Sequence, residues 1–226
     1  SMPEFDDAEN FPAKTDDLAP IPFETWEDFI FASIDPRFPF SDLINDMRAV
    51  MKGFDFKDLK KVSEKDYFLD AHWALYCENY LEGFHIPFVH KDLNRELDYG
   101  NYKTKLFRLS SVQTGYNDGG NIAAQYFFIF PNLMFNFYPW GISVNIVKPV
   151  TKSSTKVSYL TFVSDESKLG RGAGGDLEKV EFEDQAVVES VQKGIRSRFY
   201  DKGRYSPMRE QGTHHFHRLI CEFMNN

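Results

Sequence analysis

Between residues 102 and 163 the chain alternates short apolar and polar runs. "YKTKLFRLSSVQTGY", "AAQYFFIFP", "LMFNFYPW", "ISVNIVKPV" and "TKVSYLTFVS" are rich in β-branched and aromatic residues and are broken by Gly, Pro and Asn. That pattern predicts successive antiparallel strands. Elsewhere the period is helical. "FSDLINDMRAVMKGF" (40–54) has a cap-like Ser41 and ends near Gly53, which predicts a helix. "WALYCENYLEGF" (73–84) and "DLEKVEFEDQAVVESVQKGI" (176–195) predict two more, and "THHFHRLICEFM" (213–224) a terminal one. "TWEDFIFASID" (25–35) mixes aromatic and polar residues and reads as a strand, while the acidic, proline-containing residues 1–20 read as loop. Helices, then a run of strands, then a long helix make an α+β domain with helices packed on one antiparallel sheet.

Composition narrows the class. The 226 residues suit one large domain with a short extension, and 42% hydrophobic with 16% aromatic residues is globular. A net charge of −8 without any basic stripe argues against nucleic acid or an anionic membrane as partner. The most apolar stretch, 126–140, is interrupted by Pro131, Asn132, Asn136 and Pro139 and is too short to span a bilayer. Cys77 and Cys221 stand apart, with no CxxC or CxH pattern, so the chain itself offers neither a zinc ribbon nor iron–sulfur ligands. A reduced, cytoplasmic setting is the expectation.

The chemistry concentrates in "ENYLEGFHIPFVH" (78–90). On an ideal helix His85 and His90 would point about 140° apart. Pro87 lies between them and removes a helical donor. The helix is therefore expected to end or distort near His85, with a bend that lets both imidazoles converge. Glu78, Glu82 and His85 fall at i, i+4 and i+7, one helix face, so Glu82 is placed to accept a ring N–H from His85 and fix its tautomer. Two unrelated histidines at a helix end, and a solvated Glu78, fit the same residues.

A third ligand would change that balance. Val180, Asp184, Val187, Val188, Val191 and Ile195 form one helical stripe with a carboxylate at its centre, flanked by Glu181 and Glu183. An inward carboxylate needs a partner, either a cation, a backbone cap or a metal. Two histidines and one carboxylate with open positions make the facial triad of non-haem Fe(II) sites that activate oxygen.

These residues resemble the catalytic domain of Rieske non-haem iron oxygenase alpha subunits. "ENYLEGFHIPFVH" resembles the family's iron-site motif. The stretch 183–219, "EDQAVVESVQKGIRSRFYDKGRYSPMREQGTHHFHRL", resembles the end of that domain. "FPNLMFNFYPWGISVNIVKP" is similar to its central strands and "LAPIPFETWEDFIFASIDP" to its entry. The resemblance implies a helix-grip fold, a curved antiparallel sheet around a long C-terminal helix. It implies His85, His90 and Asp184 as ligands of a mononuclear Fe(II). Glu82 would be the carboxylate bridging to a Rieske cluster histidine of the neighbouring subunit, and Asn79 a residue beside the ligands. It further implies O2 and a small-molecule substrate, a reductase or ferredoxin donor, and a ring of three subunits. Hydroxylation or oxidative demethylation of an aromatic or quaternary-amine substrate is expected, and the resemblance leans to the choline, betaine and carnitine branch.

The family's upstream [2Fe–2S] domain, with its CxH and CxxH ligands, has no counterpart in this sequence. Residues 1–24 are read as the segment that follows such a domain, and 25–226 as the catalytic iron domain. A helix-grip domain that merely binds an apolar ligand is the alternative, and a zinc hydrolase on the same triad a weaker one. "GRGAGG" (170–175) satisfies GxGxxG but lacks a following strand, so it reads as a loop. "HHFH" (214–217) reads as part of a packed, partly solvated helix.

Overall fold

In a computed structural model of the chain, residues 3–90, 99–168 and 177–225 are described. The chain divides into two units, residues 1–40 and 41–226. In the smaller, the segment expected as one strand is a hairpin, β1 (Phe23–Trp26) paired antiparallel with β2 (Phe29–Ala32). The chain reverses because Glu27 adopts φ 48°, the left-handed conformation of tight turns, and Trp26 then stacks on Phe29.

The larger unit begins within α1 (Phe40–Val50), which stops short of the expected residue 54 and buries Ile44 and Met47. Seven strands follow in one sheet: β3 (Lys60–Leu69), β4 (Lys103–Leu106), β5 (Ser110–Tyr116), β6 (Ile122–Ile129), β7 (Leu133–Tyr138), β8 (Gly141–Thr151) and β9 (Ser154–Val163). The spatial order is β3-β9-β8-β7-β6-β5-β4, and every neighbouring pair is antiparallel. β3 has no counterpart among the expected strands. It is an edge strand, mostly exposed and rich in lysine, which protects a free edge but erases the hydrophobic alternation that announces a strand.

The two faces of the sheet differ in chemistry. One is apolar: Phe127 opposes Phe135, Phe135 opposes Val144, and Phe54 and Phe56 meet Phe137 edge-on. Truncating a fully buried phenylalanine such as Phe127 or Phe135 costs about 3–5 kcal/mol. The other face carries Tyr126, Asn136, Tyr138, Ser143, Asn145 and Tyr159, which share it by register and by the two-residue period of a strand.

Two helices attend that polar face, α2 (Trp73–Tyr80) and the long α4 (Leu177–Gly194), and the short α3 (Ile86–Val89) follows α2 in the chain. Tyr76 and Tyr80, one turn apart on α2, reach Tyr159 and Asn136. A last helix, α5 (Gln211–Met224), sets Phe216 edge-on against Trp73 and Phe128. This is the expected α+β, helix-grip arrangement. Among the described residues no helix is long and apolar enough to cross a membrane. The GRGAGG stretch, and Asp176 at the expected start of the long helix, lie outside the described residues.

Candidate metal centre

The motif 78–90 folds differently from the regular helix first expected. α2 ends at Tyr80, and the Leu81 N–H closes its last turn onto Cys77 and Glu78. Glu82 and His85 therefore lie beyond the helix. Gly83 lets the Tyr102 ring pack against this segment, because a Cβ there would stand 2.7 Å from that ring. A second short helix then starts after His85, with Pro87 in its first turn, where its missing N–H leaves nothing unpaired. The break lets His85 and His90 turn toward each other. Their rings are 5.0 Å apart, and their Nε2 atoms 3.2 Å.

Asp184 completes the group from α4. Its Oδ1 lies 2.9 Å from His90 Nε2 and 3.4 Å from His85 Nε2. Donor atoms each about 2.0–2.2 Å from one metal ion stand roughly 3 Å from one another. His85, His90 and Asp184 meet that requirement, and they are the metal-spaced group of His, Cys, Asp and Glu found among the described residues.

The outer ring nitrogens are also committed. His85 Nδ1 donates to Glu82 Oε1 at 2.6 Å, and His90 Nδ1 donates to Glu183 Oε2 at 2.8 Å. With those Nδ1 protons fixed outward, both Nε2 atoms face the space they share with Asp184, where loss of the Nε2 protons would free their lone pairs for a metal, as in carboxylate-oriented histidine ligands. Glu82 Oε2 in turn accepts the backbone N–H groups of Phe84 and His85. Asn79 Nδ2 donates to Asp184 Oδ1 at 2.6 Å.

The electrostatics follow from this crowding. Burial lowers the affinity of His85 for a proton, but the bonds to Asp184 and Glu82 outweigh it and raise its pKa to about 9. His90 is raised by the same balance, through Asp184 and Glu183. Burial works to raise Asp184, yet the two imidazoles hold it below the usual carboxylate range. Glu181 is pushed up, first by burial and then by the charge of Asp184.

Several expectations are corrected here. Glu78 does not face the site, since it accepts from His217 Nε2 at 2.8 Å, which also gives one histidine of HHFH a partner. The inward stripe of α4 is rotated from the one drawn through its apolar residues. Val191 is 41% exposed while Gln192 is buried. The stripe holds at Asp184 and Val188 but not at Val191, because hydrophobicity alone defines it while α4 faces the polar side of the sheet.

Four residues gain parts that hydrophobic periodicity concealed. Glu183 orients His90, and Glu181 accepts from the phenols of Tyr76 and Tyr159. Glu189 Oε1 accepts the Asp70 N–H, and Gln192 Oε1 the His72 N–H at 2.7 Å, fixing α4 to the entry of α2. Their acidic or amide character amid helix-period valines was the available signal.

Known proteins share this architecture. The family described as "Ring hydroxylating alpha subunit (catalytic domain)" matches residues 56–226. Choline monooxygenase from Arabidopsis thaliana is 35% identical over 179 residues, covering 72% of this chain and 42% of the relative. The carnitine monooxygenase oxygenase subunit of Escherichia coli is 26% identical over 94% of this chain and 64% of its own length. The chain thus spans less than two thirds of either relative. The quaternary ammonium Rieske monooxygenase CntA, in complex with L-carnitine, superposes with a TM-score of 0.79 at 22% identity, over 99% of this chain and 66% of that one. Naphthalene 1,2-dioxygenase from Rhodococcus sp. superposes with a TM-score of 0.71 at 14% identity, over 99% and 71%. The donor set on the polar side of the sheet and the match over residues 56–226 together make this chain a member of the ring-hydroxylating alpha subunit family, carrying its catalytic domain.

Proposed function

We propose that this chain is the oxygenating part of a Rieske-type monooxygenase acting on a small quaternary amine. The observation that carries the reading is the convergence of His85, His90 and Asp184 with both outer imidazole nitrogens bound to carboxylates. In this reading the three residues hold a mononuclear Fe(II). A ferrous ion in such a site supplies the binding and reductive activation of O2 beside the substrate.

The chain's own residues do the rest. Glu82 and Glu183 keep the imidazoles in the tautomer that presents Nε2, and Asn79 holds the carboxylate of Asp184 in place. The apolar side of the sheet and its aromatic packing keep the fold rigid around the site. Glu82 lies against His85 beside Phe84 and Phe88, which are 49% and 75% exposed. We assign Glu82 the electron path from a Rieske [2Fe–2S] cluster carried by a neighbouring subunit and fed by a reductase or ferredoxin. A ring of three subunits would bring cluster and iron together. The free thiols of Cys77 and Cys221 suit a reducing, cytoplasmic setting.

Choline and carnitine monooxygenases among the relatives favour a quaternary amine over an aromatic ring. The product would be a hydroxylated or demethylated amine. The non-catalytic alternative is not favoured, because ligand binding alone gives no reason for two imidazoles and a carboxylate to converge.

Anaerobic loading with Fe(II), followed by metal analysis of the wild type and Asp184→Ala, tests the reading. One iron per chain, lost in the variant, is expected. Equal iron in both proteins, or no stoichiometric iron in the wild type, overturns it.

A further inference from the structure

Residues 193–204 break the acidic character of the chain, with a local excess too short to be a basic stripe. They hold Lys193, Arg196, Arg198, Lys202 and Arg204 against one acid, Asp201, a net charge of +4. The whole chain carries −8, so the rest of it carries −12 and would repel a polyanion. All five cations are exposed. Lys202 stands 4.0 Å from Asp201, and Arg198 lies over the Phe199 ring. Among the described residues, no carboxylate pairs with Arg196 or Arg204. Cations elsewhere are taken: Lys61 pairs with Glu64, Arg108 with Glu222 and Lys156 with Asp66.

Aromatic and apolar side chains stand among these charges. Phe199 is 82% exposed and Met208 80%, and Tyr200 and Tyr205 are exposed as well. Arg, Tyr, Phe and Met are the side chains enriched at protein–protein interfaces. The segment is also held in shape. The Tyr200 N–H closes a turn on the Ser197 carbonyl at 3.0 Å. Tyr205 Oη donates to His217 Nδ1, and His217 is anchored in turn on Glu78. A preformed surface loses little freedom when a partner docks.

Charge names the occupant. Two copies that each carry −8 repel unless they meet through opposite faces. The chain supplies the opposite face itself. Residues 4–17 hold Glu4, Asp6, Asp7, Glu9, Asp16 and Asp17 against one cation, Lys14, and all seven are exposed. Phe5 and Leu18 bring exposed apolar surface to the same stretch. The acidic and basic stretches are different parts of the chain, so a contact between them across two copies is head-to-tail. Such contacts close into a ring when the rotation between copies allows it.

We propose that the basic, aromatic surface of residues 193–208 docks the acidic residues 4–17 of a second copy of this chain. This inference rests on the subunit ring proposed above and gives that ring a contact face.

The test is sedimentation velocity on the purified chain from about 1 to 100 μM, at about 0.1 M and about 1 M salt. Two triple variants accompany the wild type. One joins Arg196→Glu, Arg198→Glu and Arg204→Glu; the other joins Asp6→Lys, Asp7→Lys and Glu9→Lys. All six positions are exposed, and a thermal melt checks that each variant is folded. The wild type is expected to form a three-chain species that high salt weakens. Each variant should associate at least about tenfold more weakly. Mixing the two variants should restore association, because each then finds an opposite face on the other. A wild type that stays monomeric overturns the contact and the ring together. Wild-type association that ignores salt, or that either variant retains, overturns the contact and leaves the ring standing. A mixture that fails to assemble overturns the contact as well. Iron per chain, measured on the same samples after Fe(II) loading, reports separately on the metal reading.

Discussion

Glu183 Oε2 accepts the Nδ1 proton of His90 at 2.8 Å, across 93 positions of sequence. The bond ties α4 to the C-terminal end of α3 and leaves His90 Nε2 for Asp184, the next residue along α4. Two adjacent acids therefore serve one imidazole from opposite ends.

This arrangement separates the two acids functionally. Asp184→Ala should abolish stoichiometric iron. Glu183→Ala should retain the site but weaken Fe(II) about 10- to 100-fold, the usual effect of losing a partner that orients a ligand. Competition with a chelator of known affinity measures both. An unchanged affinity in Glu183→Ala would show that the His90 tautomer is fixed without it.

Asn79 donates to the same Asp184 oxygen that faces the imidazoles. Asn79→Ala should lower iron affinity by about tenfold. Asn79→Asp keeps the size but sets a second carboxylate against Asp184, so a larger structural and binding defect is expected. The same titration, run with a thermal melt without metal, separates binding from folding. Wild-type affinity in Asn79→Ala would remove its positioning role.

Gly212 allows α5 to meet the end of α2 closely. A Cβ at this position would stand 2.5 Å from the Leu81 backbone oxygen, which cannot yield as a side chain would. Gly212→Ala should cost about 1–3 kcal/mol. A lower midpoint in guanidinium unfolding checks it, and a midpoint equal to wild type would mean that α5 shifts freely.

Asp66 gives a pH dependence that can be worked out. Bonds from Lys156 Nζ at 2.6 Å and Ser158 Oγ hold its carboxyl below the usual range. A depressed native pKa favours the folded state above the unfolded value of about 4. That contribution disappears as pH falls through the lower native value. The difference in Tm between wild type and Asp66→Asn should therefore be constant near neutrality and shrink below about pH 4. A gap independent of pH would show that the pairing between β3 and β9 does not depend on this charge.

The sequence by itself determined the strand run over 102–163, the helices and the ligand-type residues, because alternation and helical period are local properties. The same locality explains its misses. β3 is an exposed edge whose lysines hide its alternation, and the segment after Trp26 reverses at one residue with positive φ. The valine stripe on α4 places Val188 and Asp184 inward correctly but also Val191, which is exposed. Hydrophobicity cannot show that this helix packs on the polar face of a sheet, where Glu181 and Gln192 join Asp184 on the inward side. Only the tertiary structure decided that Glu78 turns away to His217 while Glu183 turns in to His90. Those choices depend on which helices become neighbours, and residues about 100 apart in sequence meet only once the sheet has brought α2 and α4 together.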